Sequence, residues 1–460
     1  MITRADLNQR VREWGLREDV VEKDYVLGWV LWGIGSDRLL STKWVFKGGT
    51  CLKKCYIETY RFSEDLDFSI LPQGPLLPDD LAPIIERILR LITAESGIDF
   101  SDRPPNFRVR ASGQSVEGRI YYRGPRNTPG AASIKLDLTG NELVVRPTVL
   151  REVAHPYPDG LPAPGTVRCY SFEELFAEKL RAMGERGRPR DLYDIVNLFH
   201  RRDLRQYAAL VRTALIDKCQ AKGVPIPTYQ NLEISPYRSE LESEWENMLG
   251  HQLQATPPFS QFWGELLPLF EWLDGNLVPE VLEPMALEND EEPGWSPPPT
   301  IWSWGEGVPL ETVRFAAANH LCVDLGYQGS VRTIEPYSLR RTRQGHLVLH
   351  AIRSIDKGHR SYRVDRMNSL RATNLPFIPA YAIEFSSAGP FYAPLTSAAA
   401  TTRPSATSRV RRAVVYMIEC PVCGKRFRRV APSLGLRPHK DKNGWPCSGR
   451  HGSLVHTEYA

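Results

Sequence analysis

Cysteine is scarce in this chain: eight among 460 residues. Five are scattered (Cys51, Cys55, Cys169, Cys219, Cys322) and three cluster late (Cys420, Cys423, Cys447). This argues against a disulfide framework and points to a reducing compartment with one metal site. Long apolar runs are missing as well. None approaches the roughly 18 residues that span a bilayer, so no membrane partner is expected. The opening Met1-Ile-Thr-Arg-Ala-Asp-Leu-Asn-Gln has no signal-peptide core, and the expected location is cytoplasmic. Net charge is also small, +4, but it is unevenly placed. From residue 401 onward there are 12 Lys+Arg against 3 Asp+Glu, which leaves 46 against 51 in the first 400 residues. The tail is therefore the part that would face a polyanion.

What is present centres on one stretch. Phe46-Lys-Gly-Gly-Thr-Cys-Leu-Lys-Lys is followed by Arg61-Phe-Ser-Glu-Asp-Leu-Asp-Phe-Ser-Ile70. Gly48-Gly49 permits a tight turn, and a helical segment follows Thr50. A glycine turn before a helix N-terminus gathers backbone N–H groups that can hold phosphate oxygens. Next, Leu66, Phe68 and Ile70 alternate with Asp65, Asp67 and Ser69. In a strand this sends the apolar side chains inward and both carboxylates to the opposite face. Two carboxylates so close repel unless a cation lies between them. The pattern predicts a site for a nucleoside triphosphate and its metal ions. Ser133-Ile-Lys-Leu-Asp-Leu-Thr139 alternates in the same way and could add a third carboxylate, Asp137, and a cation, Lys135.

Residues 1–40 read as helix, with Glu22-Lys23-Asp24 placed on the solvated side. Leu81 to Ile92 reads as another helix. Ser171 and Glu174 form a capping-box signature for a helix carrying Phe172, Leu175, Phe176, Leu180 and Met183 inward, with Lys179 and Arg181 off that stripe. Arg186, Arg188 and Arg190 crowd the turn after it. A second helix then opens at Asp191, with Asp194 one turn on. Basic side chains beside an acidic pair suit a grip on phosphates. Residues 203–278 read as helical. Residues 281–300, rich in Pro, Glu and Asp, read as a linker. Residues 301–385 read as short strands, beginning with Val313-Arg-Phe-Ala, and Arg340, Arg341, Arg360, Arg363 and Arg366 give them a basic face. Residues 386–412 read as a flexible linker. In 413–460, Cys420-Pro-Val-Cys423 presents two thiolates to one Zn2+, and His439, Cys447 and His451 are available to complete a tetrahedron. Arg426, Arg428 and Arg429 lie near it, so nucleic acid is the expected contact.

The first 280 or so residues resemble the AbiEii/AbiGii toxin family of nucleotidyltransferases, from type IV toxin–antitoxin and abortive-infection systems. The resemblance rests on Gly48-Gly49-Thr50, Arg61-Phe-Ser-Glu-Asp-Leu-Asp-Phe68, Lys135-Leu-Asp137, Ala177-Glu-Lys-Leu-Arg181 and Arg190-Asp-Leu-Tyr-Asp194. It implies an α/β (α+β) polymerase-β-like nucleotidyltransferase core, about residues 40–150, with a helical lobe, about 170–280. Thr50 stands where the family usually has serine. The resemblance implies catalytic roles for Asp65, Asp67, Asp137, Lys179 and Asp191, with Lys135 a rival for the lysine. It implies nucleotide contacts at Gly48, Gly49, Thr50, Ser63, Lys135, Arg186 and Asp194. It further implies Mg2+ (or Mn2+) on Asp65, Asp67 and Asp137, an NTP substrate, an RNA acceptor such as the tRNA 3′ end, and a winged-helix antitoxin encoded alongside.

Residues 310–377 resemble a WYL domain through Ile334-Glu-Pro-Tyr-Ser-Leu, Leu347-Val-Leu349 and Tyr362-Arg-Val-Asp-Arg366. His346-Leu-Val-Leu349 stands where the Trp-Tyr-Leu signature would be. The tail resembles zinc-ribbon-like modules ending His…Pro-Cys-x-Gly, which favours Cys420, Cys423, His439 and Cys447 as ligands. Two alternatives remain at this stage: a non-enzymatic nucleotide-sensing regulator that binds nucleic acid, and an enzyme that nucleotidylates protein.

Overall fold

The computed structural model describes residues 1–57, 61–201, 206–302, 307–385, 414–429 and 434–459. The stretch 386–412, expected as a flexible linker, lies outside the described residues. The chain divides into two compact units, Met1–Pro394 and Leu395–Ala460.

The first unit is built on a seven-stranded mixed sheet. Its strands are β1 (Trp44–Lys47), β2 (Asp65–Ile70), β3 (Asn106–Val109), β4 (Ser115–Tyr122), β5 (Ala132–Thr139), β6 (Val149–Glu152) and β7 (Thr166–Cys169), in the order β3-β4-β5-β2-β1-β7-β6. Strands β1 and β2 are antiparallel, whereas β2 and β5 are parallel. Alternation works as the sequence predicts: Leu66, Phe68, Ile134, Leu136 and Leu138 are buried. The helices Glu18–Ser36 and Pro78–Ser96 supply much of the core packed with them. Gly35 lets the first of these meet β7, since a Cβ there would lie 2.0 Å from the Thr166 carbonyl oxygen.

Glu22 and Asp24 are buried, contrary to the solvated placement expected for them. Asp24 accepts from the Lys54 ammonium at 2.7 Å and from the Tyr157 hydroxyl at 3.0 Å. Glu22 accepts from the Arg126 backbone N–H at 2.7 Å. Glu22 and Asp24 interrupt the apolar stripe because each has a partner distant in sequence within this unit.

Helices Phe172–Arg186 and Pro189–Phe199 form a hairpin, and further helices between residues 208 and 273 complete that lobe. Only half of the expected capping box forms. Ser171 Oγ accepts from the Glu174 N–H at 3.4 Å. The Glu174 carboxylate instead takes the N–H groups of Val145 and Arg146, at 2.9 and 3.0 Å, and lies 2.8 Å from Lys218 Nζ. This ties the lobe to the segment after β5.

A five-stranded antiparallel sheet follows: β8 (Leu321–Tyr327), β9 (Ser330–Arg341), β10 (Leu347–Arg353), β11 (His359–Arg363) and β12 (Met367–Pro376), ordered β11-β10-β9-β8-β12. The stretch Val313-Arg-Phe-Ala is helix, not strand, within Leu310–Ala318. The helix is buried nearly all round, by Leu310, Val313, Phe315, Ala316 and Ala317 and by the Glu311–Arg314 pair, which spans one turn at 2.7 Å. The expected linker 281–300 is not free chain either. Met285 and Glu291 are buried against this sheet. That packing also corrects the expected basic face. Arg340 is buried, donating to the carbonyls of Met285 and Ala286 and pairing with Glu291 at 3.2 Å and Glu384 at 2.8 Å. Arg341 pairs with Glu292 at 2.6 Å, and Arg363 with Asp365 at 2.6 Å. Of those expected there, Arg360 and Arg366 stay exposed, Arg360 paired with Asp356 at 3.0 Å.

In the second unit, β13 (Val414–Glu419), β14 (Arg426–Arg429) and β17 (Ser453–Tyr459) form one sheet, and β15 (His439–Lys440) pairs with β16 (Pro446–Cys447). Among the described residues its buried core is only Ile418, Cys420, Leu436 and Cys447. Apolar burial on that scale does not hold a fold of this kind alone.

Candidate active site

Strand register assembles the first half of the site. Asp65 pairs with Lys135 and Asp67 with Asp137 across β2 and β5. On the other side of β2, Lys47 pairs with Asp67. In-register residues share a face, so Lys47, Asp67 and Asp137 form a row across three neighbouring strands. Asp65 and Lys135 form the row beside it. Asp137 accepts from Lys135 at 2.8 Å and also from Arg110.

Burial raises the Asp67 pKa to about 6, and the fields of Asp137 and Asp65 add to this against those of Lys47 and Lys179. Burial also raises Asp65, with Asp137 again contributing and Lys135 opposing. Asp65 and Asp67 thus lack enough positive charge beside them. A hard divalent cation is the partner that oxygen donors of this kind accept.

The glycine turn sits against this face. Gly48 has φ +79, and a Cβ there would fall 2.3 Å from Asp67 Oδ2. A Cβ on Gly49 would lie 2.5 Å from the Arg61 guanidinium and 3.2 Å from Ser63 Oγ. The Thr50 hydroxyl is buried and donates to the Asp65 carbonyl oxygen at 2.5 Å. It locks the turn to β2, while Gly48-Gly49 begins the helical turn Gly48–Cys51. Gly48→Ala is expected to cost roughly 1–3 kcal/mol through its left-handed backbone alone. It also pushes Asp67 aside, so divalent-cation affinity should fall as well. Thermal melts and Mn2+ titration of the purified variant check both.

The helical hairpin supplies the second half. Lys179 Nζ lies 2.6 Å from Asp194 Oδ2 and 3.2 Å from Asp191 Oδ1. Arg61 grips Asp194 with two bonds, at 2.7 and 2.9 Å. Arg186 grips Asp191 likewise, at 2.9 and 3.1 Å. Three cations therefore share two fully buried carboxylates. The surplus positive charge acts on Asp67, since the field of Lys179 lowers its pKa. Arg190 faces Asp65 electrostatically, and its buried Nε has no hydrogen-bond partner.

Asp65, Asp67, Asp137 and Lys135, predicted from alternation, thus gather on one face, with the glycine turn beside them. Lys179, Asp191, Asp194 and Arg186 meet in the hairpin. The site also uses Lys47 and Arg61 in ways that residue patterns did not single out, while Arg190, expected in the basic turn, faces Asp65. Arg61 stands at the head of the Arg-Phe-Ser-Glu-Asp-Leu-Asp run, and that position was the available signal. The role of Lys47 depends on the β1–β2 register.

In the second unit, Cys420, Cys423, His439 and Cys447 each bring a ligand atom within 4.8 Å of the others. The β15–β16 register sets His439 opposite Cys447. His439 Nδ1 is 2.9 Å from the Arg437 carbonyl, which leaves Nε2 facing Cys423 Sγ at 3.4 Å. The Gly449 N–H donates to Cys447 Sγ at 3.3 Å. His451 is not in this cluster; it bridges Gly435 instead.

Residues 29–274, more than half of the chain, match the family model described as nucleotidyl transferase AbiEii toxin, type IV toxin–antitoxin system. The chain belongs to the AbiEii toxin family. It is accordingly a nucleotidyltransferase, of a family whose members work on nucleotide substrates and are partnered by antitoxins. Among solved structures it is similar to MenT4, a nucleotidyltransferase toxin from Mycobacterium tuberculosis H37Rv. That match has 21% identity and a TM-score of 0.43, and covers 60% of this chain and 90% of the other. No curated protein matches the chain. Among the described residues, no helix is long and apolar enough to cross a membrane.

Proposed function

We propose that this AbiEii-family enzyme transfers a nucleoside monophosphate from an NTP to an RNA, with the tRNA 3′ end as acceptor. The observation that carries the reading is the facing of two half-sites. Two under-neutralised carboxylates, Asp65 and Asp67, stand on the sheet beside Asp137, opposite a hairpin that holds surplus positive charge.

Asp65, Asp67 and Asp137 are the residues that would hold Mg2+ or Mn2+, which when bound neutralises the triphosphate and polarises it for in-line displacement. The N–H groups of the Gly48-Gly49-Thr50 turn and the Ser63 hydroxyl orient the outgoing phosphates. Lys179, held by Asp191 and Asp194, neutralises negative charge that grows on the leaving pyrophosphate. Arg186, held by Asp191, reinforces it. In this reading Asp191 and Asp194 act through the cations they position. The acceptor hydroxyl attacks the α-phosphorus, and the bond to the bridging oxygen of pyrophosphate breaks.

The four-donor cluster Cys420, Cys423, His439 and Cys447 suits Zn2+, with its histidine tautomer set and one sulfur receiving an N–H. With so few buried apolar side chains, the second unit should lose its fold when a strong chelator removes the metal. Loss of its circular-dichroism signature on chelation, and its return with Zn2+, would be the observation. We read Arg426, Arg428 and Arg429 on β14, with Arg366 of a WYL-like module at 301–385, as contacts to RNA phosphates. Deleting residues 386–460 is expected to weaken RNA binding about tenfold at moderate salt while NTP binding holds. Unchanged RNA affinity would remove the tail from the account. A winged-helix antitoxin is the partner, and the cytoplasm the location, that this function implies.

The test is incubation of the full chain with labelled NTP, Mg2+ and total tRNA. Label on RNA 3′ ends is expected. Label on protein would favour nucleotidylation of a protein partner instead.

A further inference from the structure

Away from the carboxylate face, His200, Glu265 and His320 gather in one place. His200 caps the C-terminal end of helix Pro189–Phe199. Glu265 lies between the helices Phe259–Gly264 and Leu266–Leu273. His320 precedes β8, in the five-stranded-sheet module. Each brings a ligand atom within 4.8 Å of the others, and all three side chains are half-buried. The rings of His200 and His320 stack with centroids 4.3 Å apart, and His200 Nε2 lies 3.6 Å from Glu265 Oε1. Both ring nitrogens of His200 are buried without a hydrogen-bond partner. Buried polar atoms are almost always satisfied, and an exception of this kind often marks an ion or water.

The geometry is held from several sides. Asn319 Oδ1 accepts from the Tyr193 hydroxyl at 2.7 Å, and its carbonyl accepts from Gln261 Nε2 at 3.0 Å. The His320 carbonyl accepts from the Phe377 N–H at 2.9 Å. The turn that carries His320 is thus pinned to the helical lobe on one side and to its own sheet on the other. His320 itself has φ +52, a conformation that histidine tolerates better than most residues. A helix C-terminus beside His200 adds a field that favours a cation.

We propose that His200, Glu265 and His320 bind one divalent transition-metal ion, of which Zn2+ is the best match. Two imidazoles and a carboxylate are a ligand set that zinc accepts, with a fourth position for water. Zinc bonds of about 2.0–2.2 Å place tetrahedral donors about 3.3 Å apart, so small side-chain rotations would close the present spacing. The donor type separates this site from the carboxylate face and from the Cys420 cluster. The Asp65, Asp67 and Asp137 oxygens suit Mg2+, and the Cys420 cluster suits a thiophilic ion. Because His200 and His320 come from different parts of the fold, the ion would clamp the hairpin that carries Lys179, Asp191 and Asp194 to the five-stranded sheet.

The experiment counts zinc in the full chain, dialysed against Zn2+ with excess Mg2+ to occupy the carboxylates. Two zinc ions per chain are expected in wild type, and one in His200→Gln and in His320→Asn, where asparagine keeps the left-handed backbone. Cys420→Ser/Cys423→Ser should also retain one, and removing His200 from that variant should leave none. As a measurement that needs no histidine change, Co2+ added to Cys420→Ser/Cys423→Ser should give visible d–d bands with no sulfur charge-transfer band. An undiminished zinc count in the histidine variants, or no Co2+ bands in the cysteine variant, would overturn the site.

Discussion

Asp67→Asn should fold at least as stably as wild type and transfer nucleotide about 10^3-fold or more slowly. The side chain keeps its size and loses only charge. In the metal-free protein that charge is a burden, because burial and the neighbouring carboxylates raise the Asp67 pKa to about 6. The unfolded value is about 3.9, so the fold favours the neutral carboxyl. Its contribution to stability is complete below about pH 4 and is lost as pH rises through about 6. Asparagine never ionises and escapes that loss. Above pH 6, without metal, the variant should therefore be the more stable by of order 1–2 kcal/mol, a figure already reduced for solvent screening. Urea unfolding at pH 4.5 and pH 7.5, with and without Mg2+, reads the difference. In wild type Mg2+ should recover the stability, and in the variant it should add little. A variant that transfers nucleotide at the wild-type rate would place the chemistry elsewhere.

The second large effect concerns the hairpin. Asp194→Ala is expected to destabilise the protein by about 3–5 kcal/mol, because it strands buried cations without their partner. Asp194 is fully buried, and both its oxygens are used by Arg61 and Lys179. Burial alone would raise its pKa, but Arg61 and Lys179 overcome this and hold it at about 2. The sign is opposite to that of Asp67. The stabilisation is present above about pH 4, where the unfolded carboxylate is already ionised, and is lost as pH falls through about 2. Wild type should therefore lose more stability than the variant on going from pH 5 to pH 2. Activity should fall as well, since Lys179 loses one of its two holders. Chemical denaturation across that range tests the claim, and a loss below about 1 kcal/mol would show that the pair is not what holds the hairpin.

Much of the carboxylate face was legible because it depends on a period of two. Leu66, Phe68, Leu136 and Leu138 point inward, so Asp65, Asp67, Lys135 and Asp137 had to point outward. What alternation cannot supply is register. That Lys47 stands opposite Asp67, and Asp137 beside it, follows from β1 and β5 flanking β2. The buried charges failed for a related reason. Glu22 and Asp24 read as surface because their partners, Arg126 and Lys54, are distant in sequence. Glu174 left its capping box because Val145 and Arg146 offered two N–H groups. Arg340 read as part of a basic face because nothing local shows that Glu291 and Glu384 converge on it. The Val313 segment misled because four residues cannot separate strand from helix, whereas Leu310, Val313, Ala316 and Ala317 together can.

The central claim is that Asp65, Asp67 and Asp137 form one metal-holding face completed by the hairpin. Mn2+ titration of the zinc-loaded chain with a non-hydrolysable NTP, followed by electron paramagnetic resonance, tests it most directly. Two spin-coupled Mn2+ ions are expected in wild type, and none in Asp65→Asn/Asp67→Asn. Equal Mn2+ binding in the two proteins would contradict the account.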